Sequence, residues 1–241
     1  MKPIIVAVVA LLAGVGRVIA ADMPVPQAAP VPPPVYFPAY YNWSGIYLGV
    51  NGGYGFGQSN WTNAGVSTGS FNTNGFLVGG TLGANYQTGS YLVGFEGDID
   101  WSNVQGSSSA AACVAAGGGV VAAGTTCQTK STWLGTARAR VGYAFDRLLV
   151  FGTGGAAFSG LEAILNPGGS ISSGPSQLGW TAGAGVEYAF TDAVSAKVEY
   201  LFVNLGTVAC PIAVGCGPFA SHSFSFSENL VRAGVNYRFS W

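Results

Sequence analysis

The C-terminal end of the chain alternates strictly between apolar and polar residues. From Val231 to Trp241 every second residue is apolar or aromatic, and arginine, glycine, asparagine or serine lies between them. A period of two indicates a β-strand with two different faces. One face is apolar, whereas the other carries Arg232 and Arg238, as expected for a strand between lipid and a polar interior. We predict that the final aromatic residues are a barrel-insertion signal for the barrel-assembly machinery: Tyr237, Phe239 and Trp241.

The same alternation recurs in earlier segments of the chain. Six of them are readable, at residues 46–56, 76–86, 91–101, 133–145, 180–190 and 194–202. A further segment at 148–158 is apolar on both faces, so its phase is left open. Together with the C-terminal run the count is eight, an even number as in bacterial outer-membrane barrels.

The predicted connections between these strands alternate between short and long. Three are tight turns, at residues 87–90, 146–147 and 191–193. The other four span about 57–73, 102–131, 159–179 and 204–223. The sequence therefore predicts an all-β fold, an eight-stranded antiparallel up-and-down transmembrane β-barrel with four long outer loops and three short periplasmic turns.

Composition supports a membrane-embedded surface. Charged residues make up 8% of the chain, against about 25% in an average soluble protein. A barrel whose outer face meets the lipid bilayer needs few surface charges. The net charge of −1 gives no reason to expect a nucleic-acid partner.

The N-terminal region indicates export. Lys2 precedes an apolar run, and small residues around Ala20 offer a cleavage site, which is typical of a secretory signal peptide. Seven prolines between residues 21 and 42 disfavour helix and central strand. We predict a signal peptide at 1–20, a Pro-rich periplasmic leader at 21–42 and an outer-membrane barrel at 43–241.

Aromatic residues cluster where this topology places the two membrane interfaces. The predicted outer girdle contains Tyr54, Phe56, Phe76, Trp101, Trp133, Trp180 and Phe202. The predicted inner girdle contains Trp43, Tyr86, Tyr91, Phe145, Phe190, Phe239 and Trp241.

The inward faces of the predicted strands carry charges of both signs. The acidic ones are Glu96, Asp98, Asp100, Glu187 and Glu199, and the basic ones are Arg138, Arg140, Lys197, Arg232 and Arg238. An eight-stranded barrel is only wide enough for side chains to fill its interior. Buried charges need partners, so we predict an ion-pair network that fills the lumen, with the three acidic residues of strand three beside Arg138 and Arg140. A charged constriction in a narrow pore is the alternative.

The four cysteines fall in two of the predicted outer loops. Cys113 and Cys127 share the second loop, and Cys210 and Cys216 share the fourth. An even count in an oxidising compartment favours one disulfide within each loop. With one histidine and no Cys-x-x-Cys motif, the sequence predicts no metal site and no cofactor.

One short motif suggests catalysis, but its context does not. Residues 65–69 match the nucleophile pattern G-x-S-x-G around Ser67, and His222 is the lone histidine. The motif lies in a predicted loop instead of a strand-to-helix turn. We therefore expect a protein that is not an enzyme.

Five segments resemble a known family. They are YNWSGIYLGVNGGYGFG, NGFLVGGTLGANYQ, YLVGFEGDIDW, WLGTARARVGYAFDRLLVFGTGGAAF and GWTAGAGVEYAFTDAVSAKVEYLFVNLG. These segments are similar to the small outer-membrane β-barrel proteins of alphaproteobacteria, including porin-like surface proteins of rhizobia and brucellae and haemin-binding relatives. The resemblance implies an outer-membrane location and a structural or envelope-integrity role.

Three functions and one other architecture stay open at this point. The leading hypothesis is a barrel with a closed lumen that supports the integrity of the cell envelope. The second is a small porin, and the third is binding of haemin or a host surface by the loops, where Trp61, Phe71 and Phe219 could stack on a flat ligand. A soluble barrel with its apolar faces turned inward around a ligand is the architectural alternative.

Overall fold

The computed structural model describes residues 41–63, 66–109, 126–166, 169–172, 177–209 and 222–239. The predicted signal peptide and nearly all of the predicted leader lie outside these ranges. So do Cys113, Cys210, Cys216, Phe219 and Trp241, and predictions that rest on them stay predictions.

Strands make up the described structure. They are β1 (Gly45–Asn63), β2 (Val66–Thr88), β3 (Tyr91–Ser108), β4 (Thr126–Phe145), β5 (Leu148–Asn166), β6 (Gly169–Ser172), β7 (Gln177–Ala189), β8 (Val194–Ala209) and β9 (His222–Phe239). Eight of them pair antiparallel in chain order, and β9 pairs with β1, which closes the barrel. The remaining strand, β6, pairs with residues 162–165 of β5 beyond the outer end of β7. The predicted eight-stranded antiparallel barrel is confirmed.

The strands extend further outward than predicted. Residues 57–73 were expected to form a long loop, but β1 continues to Asn63 and β2 begins at Val66, and the two pair along this length. Parts of the other three predicted loops are also paired strand. Since about 9–11 residues suffice to cross the bilayer, the longer strands carry the barrel beyond the membrane at its outer end. The long outer loop at 57–73 is thus corrected to a strand pair.

At the inner end of the barrel, the three predicted tight turns connect neighbouring strands. The turn at Asp146–Arg147 joins β4 to β5 directly, and Asp146 has a positive φ of 55°. Aspartate tolerates this left-handed conformation better than most residues because its short polar side chain can hydrogen-bond nearby.

The outward face of the membrane-crossing part is apolar. Large hydrophobic side chains such as Val50, Leu82, Phe95 and Ile99 are more than half exposed, as expected for lipid contact. Strand β5, whose phase the sequence left open, turns Leu149 inward, because Leu149 is buried whereas its neighbours Leu148 and Val150 are exposed. No helix in the described residues is long and apolar enough to cross a membrane.

Among the described girdle residues, aromatic side chains border this face as predicted, with one exception. In the outer girdle Tyr54 contacts Phe76 with ring centroids 5.2 Å apart, and in the inner girdle Tyr91 contacts Tyr143 at 5.3 Å. Trp43 was assigned to the inner girdle, but only 2% of it is exposed. That assignment is wrong because Trp43 packs inside the inner mouth of the barrel.

Candidate functional site: the barrel interior

Nine of the ten predicted interior charges meet in one buried network at the middle of the barrel. Arg232 is the most connected of them, because its guanidinium lies 2.9 Å from Asp98, 2.6 Å from Asp100 and 2.7 Å from Glu199. Arg138 donates to Glu96, to Asp98 at 2.7 Å and to Glu199 at 3.0 Å. Two arginines from β4 and β9 thus link carboxylates of β3 and β8 across the lumen.

The inner side of the network is completed by Lys197 and Arg140. Lys197 Nζ lies 2.8 Å from Glu96 and 3.5 Å from Glu199. Arg140 donates to Glu187, which also accepts hydrogen bonds from Ser195 and from Asn236 at 2.5 and 2.8 Å. These charged side chains are at most 4% exposed, so water does not screen them.

The network differs from the predicted pairing in two respects. Arg140 lies opposite Gly94 of β3 and 3.8 Å from the Glu96 carboxylate of the same strand. Its guanidinium also contacts Glu187 of β7, a partner that the prediction did not include, and stacks on Phe151 at 3.7 Å from the ring centroid. Asp100 is paired by Arg232 from the far side of the lumen. The side chains therefore pair across the interior as well as along neighbouring strands.

Arg238 and Glu228 differ from the prediction of five acidic and five basic residues that pair in the lumen. Arg238 has no carboxylate partner among the described residues and lies at the inner mouth. Glu228 was missed, although it lies four residues before Arg232 on β9 and so shares its inward face. Only 1% of Glu228 is exposed, and its Oε1 has no hydrogen-bond partner within the described part of the chain.

Tyr47 contacts the network in the space that Gly83 of β2 leaves free. Its hydroxyl donates to Glu96 at 2.7 Å and accepts from Arg140 at 3.2 Å. The ring lies over Gly83, where a Cβ atom would be 2.3 Å from the ring. Because Gly83 has no side chain, it leaves the space that Tyr47 fills.

Replacing Gly83 by alanine is expected to destabilise the barrel by roughly 1–3 kcal/mol, the usual range for overpacking. The added methyl group would displace the Tyr47 ring and separate its hydroxyl from Glu96. Urea unfolding in detergent micelles, followed by circular dichroism, measures the change. Gly80→Ala is the matched control on the same strand, because the nearest atom to its new Cβ would be 3.7 Å away. Equal effects of the two substitutions would contradict the packing of Tyr47 against Gly83.

The inner mouth is closed by the residues that precede β1. Trp43 donates through its backbone N–H to Gln87 at 2.6 Å and through its indole N–H to the Asp146 carbonyl at 3.0 Å. The backbone N–H of Tyr41 donates to the Asp146 carboxylate at 2.8 Å, and its hydroxyl donates to the Thr191 carbonyl at 3.2 Å. Tyr41 and Trp43 therefore contact all three inner turns. We call these two residues the inner cap.

Arg238 and the barrel wall hold the inner cap in place. Arg238 donates to the Tyr41 hydroxyl and lies over its ring at 4.4 Å from the centroid. Burial raises the pKa of the Tyr41 hydroxyl, so this group stays protonated and can donate at neutral pH. The buried apolar side chains packed in the same cluster are Leu92, Ala144, Leu149, Phe151 and Ala189.

An apolar layer fills the lumen on the outer side of the network. Leu134 of β4 lies opposite Asp100, and Leu201 of β8 lies opposite Leu230 of β9. Each leucine is a lumen-facing residue beyond the ion-pair network, in the direction of the outer end of its strand. All three are at most 2% exposed. The other buried members of the cluster are Trp61, Leu77, Val104, Cys127, Ala157, Leu161, Val203, Leu205 and Phe226. This outer layer separates the ion pairs from the cell exterior.

One residue that was proposed to stack on a ligand is buried in the outer layer. Trp61 was predicted in a loop, but it lies in β1, is 4% exposed and donates its indole N–H to Thr129 at 2.8 Å. Its ring is thus not accessible to a flat ligand. Phe71 is partly buried against the same cluster.

The remaining predicted sites are only partly described. Ser67 is exposed on β2, and its hydroxyl donates to Asn60 at 2.8 Å. His222 begins β9, and β1 lies between β2 and β9, so Ser67 and His222 are not on neighbouring strands. Cys127 is buried and is not a free thiol, while the predicted loop disulfides rest on cysteines outside the described ranges. Within those ranges, no group of three or more acidic, cysteine or histidine residues could hold a metal ion.

An apolar outer face, two aromatic borders and a filled, charged interior define an integral outer-membrane β-barrel protein. Residues 23–239 match the family model described as the outer membrane protein beta-barrel domain. The chain belongs to this family, and it is a protein of the bacterial outer membrane.

Relatives of the chain include outer-membrane proteins of Brucella and Rhizobium. The chain is 34% identical to the 31 kDa outer-membrane immunogenic protein of Brucella melitensis over 99% of this chain and 100% of the relative. It is 30% identical to the 22 kDa outer membrane protein of Rhizobium leguminosarum bv. viciae, over 88% and 83%. Among solved structures, it is similar to Neisserial surface protein A, with a TM-score of 0.45, 14% identity and coverage of 81% and 98%.

Proposed function

We propose that this barrel is a non-conducting, non-enzymatic structural protein that contributes to the integrity of the cell envelope. The observation that supports the proposal is that three successive layers of buried side chains fill the lumen: the inner cap, the ion-pair network and the outer layer. No solute path is needed for such a role, whereas a small porin needs a continuous aqueous channel.

The chemistry of the layers supports a permanent closure. Ion pairs in a dry interior are costly to separate, because each released charge would lack both water and a partner. Arg232 and Arg138 each contact three carboxylates, so one broken pair does not free either arginine. A rigid interior of this kind suits a barrel that stiffens the membrane around it.

A deletion strain tests the envelope role. We expect loss of the protein to increase sensitivity to detergents and to large hydrophobic antibiotics, because the outer membrane would be less well sealed. Growth inhibition is measured in the wild-type strain, the deletion strain and a strain complemented with the intact gene. Unchanged sensitivity in the deletion strain would contradict the proposed role while leaving the closed lumen untouched.

A further inference from the structure

On the outward faces of β9, β1 and β2, the side chains change from apolar to polar just beyond the aromatic girdle. At the girdle, Tyr54 of β1 lies opposite Phe76 of β2 and Val231 of β9. One step outward, Phe56 lies between Asn74 and Asn229 on the same two neighbours. A lipid-facing row is thus followed by a row in which an aromatic ring is flanked by two amides.

The next outward row is entirely polar. Gln58 lies between Asn72 on β2 and Ser227 on β9. The side chains of Gln58 and Asn72 in this row, and of Asn74 in the Phe56 row, are exposed, and none of the three makes a hydrogen bond to another described residue. Each amide offers two donors and an acceptor oxygen, so this row presents many free hydrogen-bonding groups.

These two rows line a groove of about 450 Å³ on the outside of the barrel, with Tyr54 at its membrane end. Phe56 and Gln58 of β1 lie along its middle, with Asn72 and Asn74 of β2 on one side and Ser227 and Asn229 of β9 on the other. The volume lies within the usual range for small-molecule sites, roughly 300–1,000 Å³. Asn229 is held at the groove by the Tyr200 hydroxyl at 2.6 Å and by the Phe56 carbonyl at 3.3 Å. One wall of the groove is therefore already ordered.

The groove contains no charged residue. Among the described residues, the charged side chains on the outward faces of the outer strand ends are the half-buried Lys130 and Glu162, which lie opposite each other on β4 and β5, away from β9, β1 and β2. Glu228 of β9 is buried in the lumen. A phosphate or carboxylate ligand would be expected to meet arginine or lysine. Amides and a flat ring without charge suit a ligand with many hydroxyl groups and apolar C–H faces, which is the chemistry of a neutral sugar.

The position of the groove selects the source of that sugar. Aromatic residues such as Tyr54 mark the level of the lipid headgroups, and the groove begins at this level and extends outward. We propose that the outer ends of β9, β1 and β2 bind the neutral saccharide headgroup of a glycolipid in the outer leaflet, with a sugar ring on Phe56 and its hydroxyls on Asn72 and Asn74. This binding goes beyond the proposed envelope role and does not depend on a closed lumen.

Lipid retention tests the proposal. The intact barrel is placed in nanodiscs of phosphatidylcholine and diglucosyl diacylglycerol, released into mild detergent, and weighed with its bound lipids by native mass spectrometry. We expect the wild-type barrel to retain diglucosyl diacylglycerol in preference to phosphatidylcholine. Phe56→Leu and Asn74→Ala should each lower the retained fraction roughly tenfold, which corresponds to about 1.4 kcal/mol of binding free energy.

The controls separate sugar recognition from other causes. Gln177→Ala removes an amide from β7, far from the groove, and should leave retention unchanged. Folding of every variant is checked by its heat-modifiable mobility on gels, and Asn72→Ala offers a second substitution at an exposed residue of the groove. The proposal would be overturned by equal retention of phosphatidylcholine, by preference for phosphatidylglycerol, by free maltose binding as tightly as the glycolipid, or by full retention in the folded Asn74 and Asn72 variants.

Discussion

Replacing Arg232 by alanine is expected to destabilise the folded barrel by about 3–5 kcal/mol, the usual cost of breaking a buried ion pair from one side. The substitution would leave Asp98, Asp100 and Glu199 crowded together without the guanidinium that links them. We expect the midpoint of urea unfolding in detergent micelles to fall well below that of the wild-type protein, as followed by circular dichroism.

Arg147→Ala is the matched control. Arg147 also forms an ion pair, at 3.0 Å from Asp192, but these side chains are 40% and 91% exposed. An exposed pair contributes at most about 1 kcal/mol, so the unfolding midpoint should hardly move. If the two arginine variants unfolded at the same urea concentration, the interior network could not be a main source of stability.

Replacing Trp43 by alanine is the second change with a large expected effect. Truncation of a buried aromatic residue typically costs about 3–5 kcal/mol because it leaves a cavity. It would also remove the indole hydrogen bond to the Asp146 carbonyl and the packing against Tyr41, whose ring centroid lies 4.9 Å away. We expect a large decrease in the unfolding midpoint, measured under the same conditions.

Trp180→Ala separates this effect from the loss of a girdle tryptophan. Trp180 is 52% exposed at the outer interface, where it contacts lipid or detergent and leaves no internal cavity when truncated. Its unfolding midpoint should therefore fall by much less than that of the Trp43 variant. A Trp43 effect as small as the Trp180 effect would show that the inner cap is not an integral part of the fold.

Much of the barrel could be predicted from strand periodicity. A period of two separates the two faces of each strand, so the alternation that placed Val231 toward lipid also placed Arg232 toward the interior. The partners of each charge were harder to predict. Arg140 reaches Glu187 of β7 as well as Glu96 of β3, and this depends on the stagger of the strands around the barrel, which no single strand encodes.

Three features were missed for identifiable physical reasons. Residues 57–73 are mostly glycine, serine, threonine and asparagine, and Trp61 and Phe71 are too isolated among them to show an apolar face, so the pattern that marks a strand disappears there. Trp43 follows a Pro-rich segment and was assigned by its residue type to the girdle, although its hydrogen bonds to the turns can be found only in three dimensions. Glu228 could have been found by extending the period of two outward from Arg232.

Single-channel conductance of the refolded barrel in a planar lipid bilayer tests the closed lumen most directly. The inner cap, the ion-pair network and the outer layer together predict an inserted barrel that passes no measurable current. Folding and insertion are verified on the same preparation by heat-modifiable mobility and protease protection. Steady, reproducible channels whose conductance changes when Arg138 or Glu96 is neutralised would contradict the closed lumen and identify a small porin.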